Sequence, residues 1–315
     1  MDEKTKKRIL AIVGPTASGK TALSIELAKL NSGEIISCDS MQIYKRMDIG
    51  TAKPTRSEML QVPHHLIDII EPCEEFSCAD YSVLAEKKIS EISKRGNLPI
   101  FCGGTGLYID SVLNVNRFSL ASKDEVYRCE LQKELEEKGV SFLHDMLKKI
   151  DPVSAEKIHP NNTKRVIRAL EIYKITGKTK TECDLESVSV IKPYDVCMIF
   201  LDFNKRDILY SRIDKRVDQM LENGLLEEVK SLYCNGKPIL SQTALQGIGY
   251  KELFDHLDGK YSLEDAVSLI KQRTRNYAKR QLTWFRRYKD SHRIIVDSYD
   301  DLSMIVKDAQ NVFYS

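Results

Sequence analysis

The 315-residue sequence predicts an α/β fold: a P-loop NTPase-like, doubly wound, mostly parallel sheet with an inserted helical module. Three observations predict it. Short apolar runs end at glycine turns, amphipathic stretches separate them, and the first run leads at once into GPTASGKT, Gly14–Thr21. Arg8 to Val13 is a buried strand stopped by Gly14-Pro15. Thr21 to Leu30 has helical spacing, with Leu23, Leu27 and Leu30 on one face. Gly33 to Ser37 is a second strand ending at Cys38-Asp39-Ser40, and His65 to Ile70 is a third apolar stretch. Tyr81 to Ser93 is an amphipathic helix, and Leu98 to Cys102 a strand cut off by Gly103-Gly104. Alternating strands and helices imply right-handed crossovers.

The texture changes after Leu113. Lys123 to Ile150 is charged and helical, with Leu131, Leu135, Phe142, Met146 and Leu147 as its apolar stripe. A second helix, Lys164 to Thr176, follows the capping segment Pro160–Thr163, and Gly177 to Pro193 is a polar loop. Strands return at Asp195–Leu201 and Arg293–Val296. The expected division is a catalytic core of 1–113 and 195–315 around an inserted module of 114–194.

Hydrophobic residues make up 42% and charged residues 30%, the balance of a soluble globular enzyme. The longest apolar runs, such as Val196–Leu201, fall well below the roughly 20 residues of a membrane span. The N-terminal stretch lacks the apolar core of a secretory signal. The eight cysteines are scattered with no CxxC pair, so reduced thiols, a cytoplasmic setting and no structural metal are expected. A net charge of +2 does not by itself imply a polyanion partner; local clusters have to.

Gly14-Pro15-Thr16-Ala17-Ser18-Gly19-Lys20-Thr21 fits G-x-x-x-x-G-K-[ST], the ATP-binding motif by pattern, with a strand before and a helix after. Its glycines let backbone N–H groups curl around an anion at a helix N-terminus. Lys20 reaches the terminal phosphate, and the Thr21 hydroxyl is the candidate ligand of a Mg2+ ion. The loop calls for a diphosphate or polyphosphate; it does not specify ATP. Asp202 and Asp297 each close an apolar strand, the form of a Walker-B acid, but ordinary strand ends fit them better. Asp39 is the stronger candidate, because ligands of doubly wound sheets sit outside the carboxyl ends of strands. Gly103–Tyr108 (GGTGLY) is a second glycine-rich turn, with Thr105 as its side-chain hydroxyl.

Lys271 to Lys289, KQRTRNYAKRQLTWFRRYK, holds eight cations and no acid. Tyr277, Trp284, Phe285 and Tyr288 are interleaved with them. Cations neutralise phosphates and aromatics stack on unpaired bases, so mostly buried aromatics and cations facing a polyanion are expected. Lys164-Arg165-Val166-Ile167-Arg168 is a second basic cluster. Arg206, Arg212 and Arg216 form a third, in which Arg212 and Arg216 lie one turn apart and are candidates to converge on the diphosphate.

At this point the chain resembles the bacterial tRNA dimethylallyltransferase (tRNA isopentenyltransferase) family. The matching stretches are GPTASGKT, DSMQIYKRMDIGTAKP (Asp39–Pro54), HHLID (His64–Asp68), GGTGLYI (Gly103–Ile109), KRVIRALEIY (Lys164–Tyr173), LQGIGYKE (Leu245–Glu252) and RNYAKRQLTWFR (Arg275–Arg286). The resemblance implies transfer of a dimethylallyl group from dimethylallyl diphosphate to N6 of adenosine 37 in tRNAs reading codons that begin with U. It makes the loop a diphosphate site, Asp39 the base for the N6 proton, and Thr105 a group that orients the diphosphate or stabilises the transferring group. Ser40, Met41 and Gln42 hold the target base by the same resemblance. It also puts Arg128 near the tRNA, Lys164–Arg168 on the anticodon stem-loop, and Gln246, Gly247, Ile248, Gly249, Tyr250 and Lys251 in further RNA contacts. Lys279, Arg280, Gln281, Trp284 and Arg286 join them on both resemblance and charge pattern. A monomer is expected. The rivals are an adenylate isopentenyltransferase acting on free nucleotide, a P-loop small-molecule kinase, and a non-catalytic RNA-binding protein.

Overall fold

The computed structural model describes residues 6–113, 124–188 and 194–314. The chain separates into two compact units, residues 1–113 with 193–315, and residues 114–192.

In the first unit, β1 (Lys7–Val13) passes through the glycine loop into α1 (Lys20–Leu30) and β2 (Gly33–Ser37). A one-turn α2 (Arg56–Met59) and a two-residue β3 (His64–His65) follow, then α3 (Cys78–Lys94), β4 (Leu98–Gly103) and α4 (Gly106–Leu113). The inserted unit holds α5 (Glu125–Ile150), α6 (Pro152–Lys157), α7 (Thr163–Thr176) and α8 (Lys180–Val188). The chain returns through β5 (Tyr194–Asp202), α9 (Arg206–Glu222) and α10 (Leu225–Ser231). A small hairpin of β6 (Tyr233–Cys234) and β7 (Lys237–Pro238) precedes α11 (Tyr250–Leu257), α12 (Leu263–Phe285), β8 (His292–Ile295) and α13 (Leu302–Tyr314).

The main sheet has the order β3-β2-β4-β1-β5-β8, and every pairing in it is parallel. Ile9 to Val13 are fully buried, as a central strand with helices on both faces requires. Because β1 lies between β4 and β5, the loops after β1, β2 and β4 open at neighbouring points of one sheet edge. A second apolar cluster within this unit gathers Ile43, Tyr44 and Met47 with residues of α9 to α12, among them Val217, Leu225, Tyr250 and Ile270.

Several elements depart from the sequence reading. The apolar stretch His65–Ile70 belongs to a strand only at His65: Leu66 and Asp68 take left-handed backbone angles, and Ile70 makes an isolated parallel bridge to Tyr44. The loop expected over 177–193 contains the nine-residue α8, and its last five positions lie outside the described residues. The helix expected from Lys123 begins at Glu125 on the Asp124 cap, position 123 being outside the described residues, and its run breaks at Gly139, which has φ of 80°. Leu30 is exposed and leaves the apolar face of α1 to Leu23 and Leu27. No helix among the described residues is long and apolar enough to cross a membrane.

Candidate active site

Gly14 has φ of 152°, and a Cβ there would lie 2.7 Å from the Leu201 carbonyl oxygen, so the loop turns directly over β5. Gly19, at φ of 91°, ends the loop and starts α1 without any side-chain cap. The first N–H groups of α1 are therefore left for a ligand. The Ser18 hydroxyl is buried and has no partner among the described residues. These groups line a cavity of about 600 Å³ that also takes in Lys20, Thr21, Asp39, Arg212, Arg216 and Tyr277.

Burial lowers the Lys20 pKa to about 8, although Cys102 and Asp39 pull the other way. Its ammonium donates to the Pro15 carbonyl at 2.6 Å. Loss of solvent also lowers the pKa of Arg212, and that of Arg216 against the opposing charges of Asp39 and Glu58. Neither arginine has an ion-pair partner among the described residues. Burial raises the Asp39 carboxyl above its ordinary 3.8, opposed by the Met41 backbone N–H and by Lys20 and Arg216. The Met41 N–H donates to Asp39 Oδ1 at 2.9 Å. A cationic pocket with the Asp39 carboxylate on its wall, and that of Glu58 beside it, suits an anionic donor and a proton acceptor.

A second cavity, of about 380 Å³, adjoins the first. The two share six residues: Thr16, Asp39, Thr51, Ala52, Arg216 and Tyr277. Ser40, Met41, Gln246, Gly247, Ile248 and Arg280 line the second cavity alone, with apolar side chains such as Ile213 and Met220. Thr105 accepts the Ser40 backbone N–H at 3.1 Å, and its hydroxyl is 3.4 Å from that of Ser40. It thereby ties the glycine turn after β4 to the loop after β2.

Several expected RNA-contact residues have other work. The Gln281 side chain is almost wholly buried; it accepts the Thr16 N–H at 2.9 Å and donates to the Gly104 carbonyl at 3.0 Å. It braces the two glycine loops. Tyr250 is fully buried in the second apolar cluster, with its hydroxyl on Glu228, and Val166 is core of the inserted unit. Gln42 accepts the Ser37 hydroxyl and donates to the Thr51 and Ala52 carbonyls, so its amide is committed to the loop. Trp284 packs so closely on Gly106 that a Cβ there would meet its ring at 2.1 Å.

The basic stretch is paired with acids that its own sequence does not contain. Lys271, Arg273, Arg275, Arg286 and Arg287 pair with Asp218, Glu252, Asp214, Asp202 and Asp110. Asp202 is fully buried between Arg286 and Arg293 at the end of β5, and Asp297, in the short 3-10 turn after β8, caps the backbone of Asn204 and Lys205. Lys279 and Arg280 are exposed against the rings of Tyr210 and Tyr277, Lys289 is exposed as well, and Arg286 and Arg287 remain exposed despite their acid partners. Gln246 and Lys251 are exposed as well, while Gly247 and Gly249 are buried and Ile248 half-buried. In the inserted unit Lys164 and Arg165 are exposed and Ile167 half-buried. Arg128 and Arg168 both bind the fully buried Glu171, at 2.8 and 2.5 Å.

Two site residues escaped the sequence reading. Tyr277 was visible only as one aromatic among four. Glu228 accepts the N–H groups of Asp48, Ile49 and Gly50 at 2.7–3.0 Å and so clamps one wall of the second cavity. No local signal marks it, because its partners lie some 180 residues away.

The family model described as IPP transferase matches residues 42–288. A tRNA dimethylallyltransferase of Halalkalibacterium halodurans is 54% identical over 89% of this chain and 88% of its own length. One from Bacillus cytotoxicus is 52% identical over 92% and 90%. The crystal structure of a full-length tRNA isopentenylpyrophosphate transferase from Bacillus halodurans superposes with a TM-score of 0.72 at 48% identity, covering 98% of this chain and 96% of the other. A eukaryotic dimethylallyltransferase acting on tRNA gives 0.82 at 32% identity, over 98% and 79%.

Proposed function

The chain belongs to the IPP transferase family, with its P-loop NTPase-like fold, and from that premise we propose that it transfers a dimethylallyl group from dimethylallyl diphosphate to N6 of adenosine 37 in tRNA. The observation that carries the proposal is the position of Asp39 on the shared wall of two cavities, one built for an anion and one with room for a base.

The glycine loop, Lys20, Arg212 and Arg216 hold the diphosphate and offset the charge it gains as it leaves. N6 attacks C1 of the five-carbon group, the C1–O bond breaks, and the N6 proton passes to the Asp39 carboxylate. The lone pair of N6 is delocalised into the purine, so removing that proton during attack lowers the barrier. Ser40 and Met41 border the place of the base, which has to leave the anticodon-loop stack to enter. Exposed Lys279, Arg280, Lys251 and Gln246, and in the inserted unit Lys164 and Arg165, are the groups offered to the anticodon stem-loop. Codons beginning with U, a monomeric enzyme and a cytoplasmic setting complete the proposal.

Mg2+ fits the donor set. Thr21 puts a hard hydroxyl oxygen on the anion cavity, and no group of three or more His, Cys, Asp or Glu among the described residues could form a separate metal site. That suits an ion held by one protein oxygen together with substrate phosphates. Thr21 would hold it, and it would supply further charge for the departing diphosphate.

The test is a transfer assay with radiolabelled dimethylallyl diphosphate and Mg2+. Three acceptors are offered: unmodified tRNA carrying A36-A37, the same tRNA with A37 replaced, and AMP. Label on the first alone is expected. Label on AMP would overturn the tRNA acceptor, and ATP consumption with no label on any acceptor would overturn the transfer itself.

A further inference from the structure

Six residues line both cavities, and Tyr277 is the one aromatic among them. Whatever moves from the diphosphate to the base has to pass this wall. The other aromatics of the basic stretch are used elsewhere: Phe285 is fully buried, Trp284 packs on Gly106, and the Tyr288 hydroxyl binds Asp110. Thr105 and Gln281 lie near enough to the Tyr277 hydroxyl to draw its pKa down against burial, and Tyr277 itself lines both cavities. Burial and the Asp39 charge raise the phenol to about 12, so it stays neutral and does not compete with Asp39 as a base. The ring already draws one cation, since the Arg280 guanidinium lies 5.5 Å from its centroid on the acceptor side.

As C1–O lengthens, the allylic carbons carry delocalised positive charge before N6 completes the new bond. We propose that the Tyr277 ring is a catalytic group that stabilises this charge by a cation–π contact as the five-carbon group crosses between the cavities. The inference rests on the transfer reaction proposed above. Atoms and charge balance as before: the diphosphate keeps the bonding electrons, N6 supplies the new pair, Asp39 takes the proton, and Tyr277 exchanges nothing.

Single-turnover transfer, at saturating donor and tRNA, tests it on a series with phenylalanine, 4-fluoro-, 3,5-difluoro- and 3,4,5-trifluorophenylalanine at position 277. These keep the shape of the ring and progressively weaken its negative face. The expected result is a stepwise fall in rate along the series, with donor and tRNA affinities unchanged. Tyr277→Leu should fall about 30-fold, the rate equivalent of a desolvated cation–π contact. The same slope is expected in an Arg280→Gln background, which removes the ring's resident cation. A flat series with a slow leucine variant would overturn the proposal in favour of a packing wall. A trend in tRNA affinity with a constant rate would overturn it in favour of a stacking platform for the base. An unsubstituted enzyme that transfers nothing to tRNA would instead overturn the underlying reaction.

Discussion

The arginines of the crevice and those of the inserted unit look alike along the chain but face opposite surroundings. Arg212 and Arg216 line a cavity without an ion-pair partner among the described residues. Arg128 and Arg168 share one fully buried carboxylate, Glu171, which also accepts the Asp124 N–H at 2.9 Å. Cations held without a directly paired acid at a desolvated surface leave electrostatic energy available to an incoming anion. Cations already paired with a buried acid serve mainly to keep that acid satisfied. Positive charge alone therefore does not identify a ligand site; the partner does.

The strongest way to break this contrast is at Asp39, the carboxylate beside the unpaired cations. Asp39→Asn should lower single-turnover transfer by about 10³-fold, within the range of a lost general base, while tRNA binding by filter retention persists. In the parent enzyme the rate should fall with decreasing pH above the range of an ordinary carboxylate, because burial raises the Asp39 pKa. An unchanged rate in the variant would remove Asp39 as the proton acceptor.

Lys20→Met should cost about 10²-fold in transfer. Lys20 loses its proton near pH 8, so donor affinity in the parent should weaken as pH rises through that value. Calorimetric titration of the donor from pH 7 to 9.5 checks this, and the methionine variant should lose the dependence.

On the paired side, Glu171→Gln should destabilise the protein by about 2 kcal/mol, less than a wholly buried pair because both arginines are about one-third exposed. Hydrogen bonds from Arg128 and Arg168 overcome burial and hold the Glu171 pKa below its ordinary 4.5. Its contribution is therefore present above that value and lost as pH falls through the lower folded one. Urea unfolding at pH 7 and pH 3.5 should show parent and variant converging at the lower pH.

The smallest effect separates cations of α12 from the one at its C-cap. Lys279→Ala and Arg280→Ala should each reduce the slope of log affinity for tRNA against log salt by about one. Arg286→Ala should leave that slope unchanged and lower thermal stability instead. Equal slopes for all three would show that pairing with Asp202 does not withdraw Arg286 from RNA.

What local spacing governs was legible beforehand: the strand–loop–helix around Lys20, the parallel order of alternating elements, and Asp39 at a strand's carboxyl end. What depends on distant partners was not. The run from Lys271 to Lys289 has no acid of its own, yet acids from α4, β5, α9 and α11 neutralise five of its cations. The helix over Lys180–Val188 carries little apolar content to announce it and is secured through Asp151, which binds Thr181. Gln281 read as one more polar residue on a cationic face because Thr16 and Gly104 lie 265 and 177 positions away.

That glutamine has a consequence for how the chain can vary. Its amide accepts from one glycine loop and donates to the other at the same time. Glutamate keeps the length but loses the donor, lysine loses the acceptor, and asparagine falls one methylene short. Lysine and arginine can trade places at an exposed phosphate contact and still deliver a positive charge. Position 281 thus has a far shorter permitted alphabet than the cations beside it, and a survey of tolerated substitutions would find its strictest letter where the helix looks least charged.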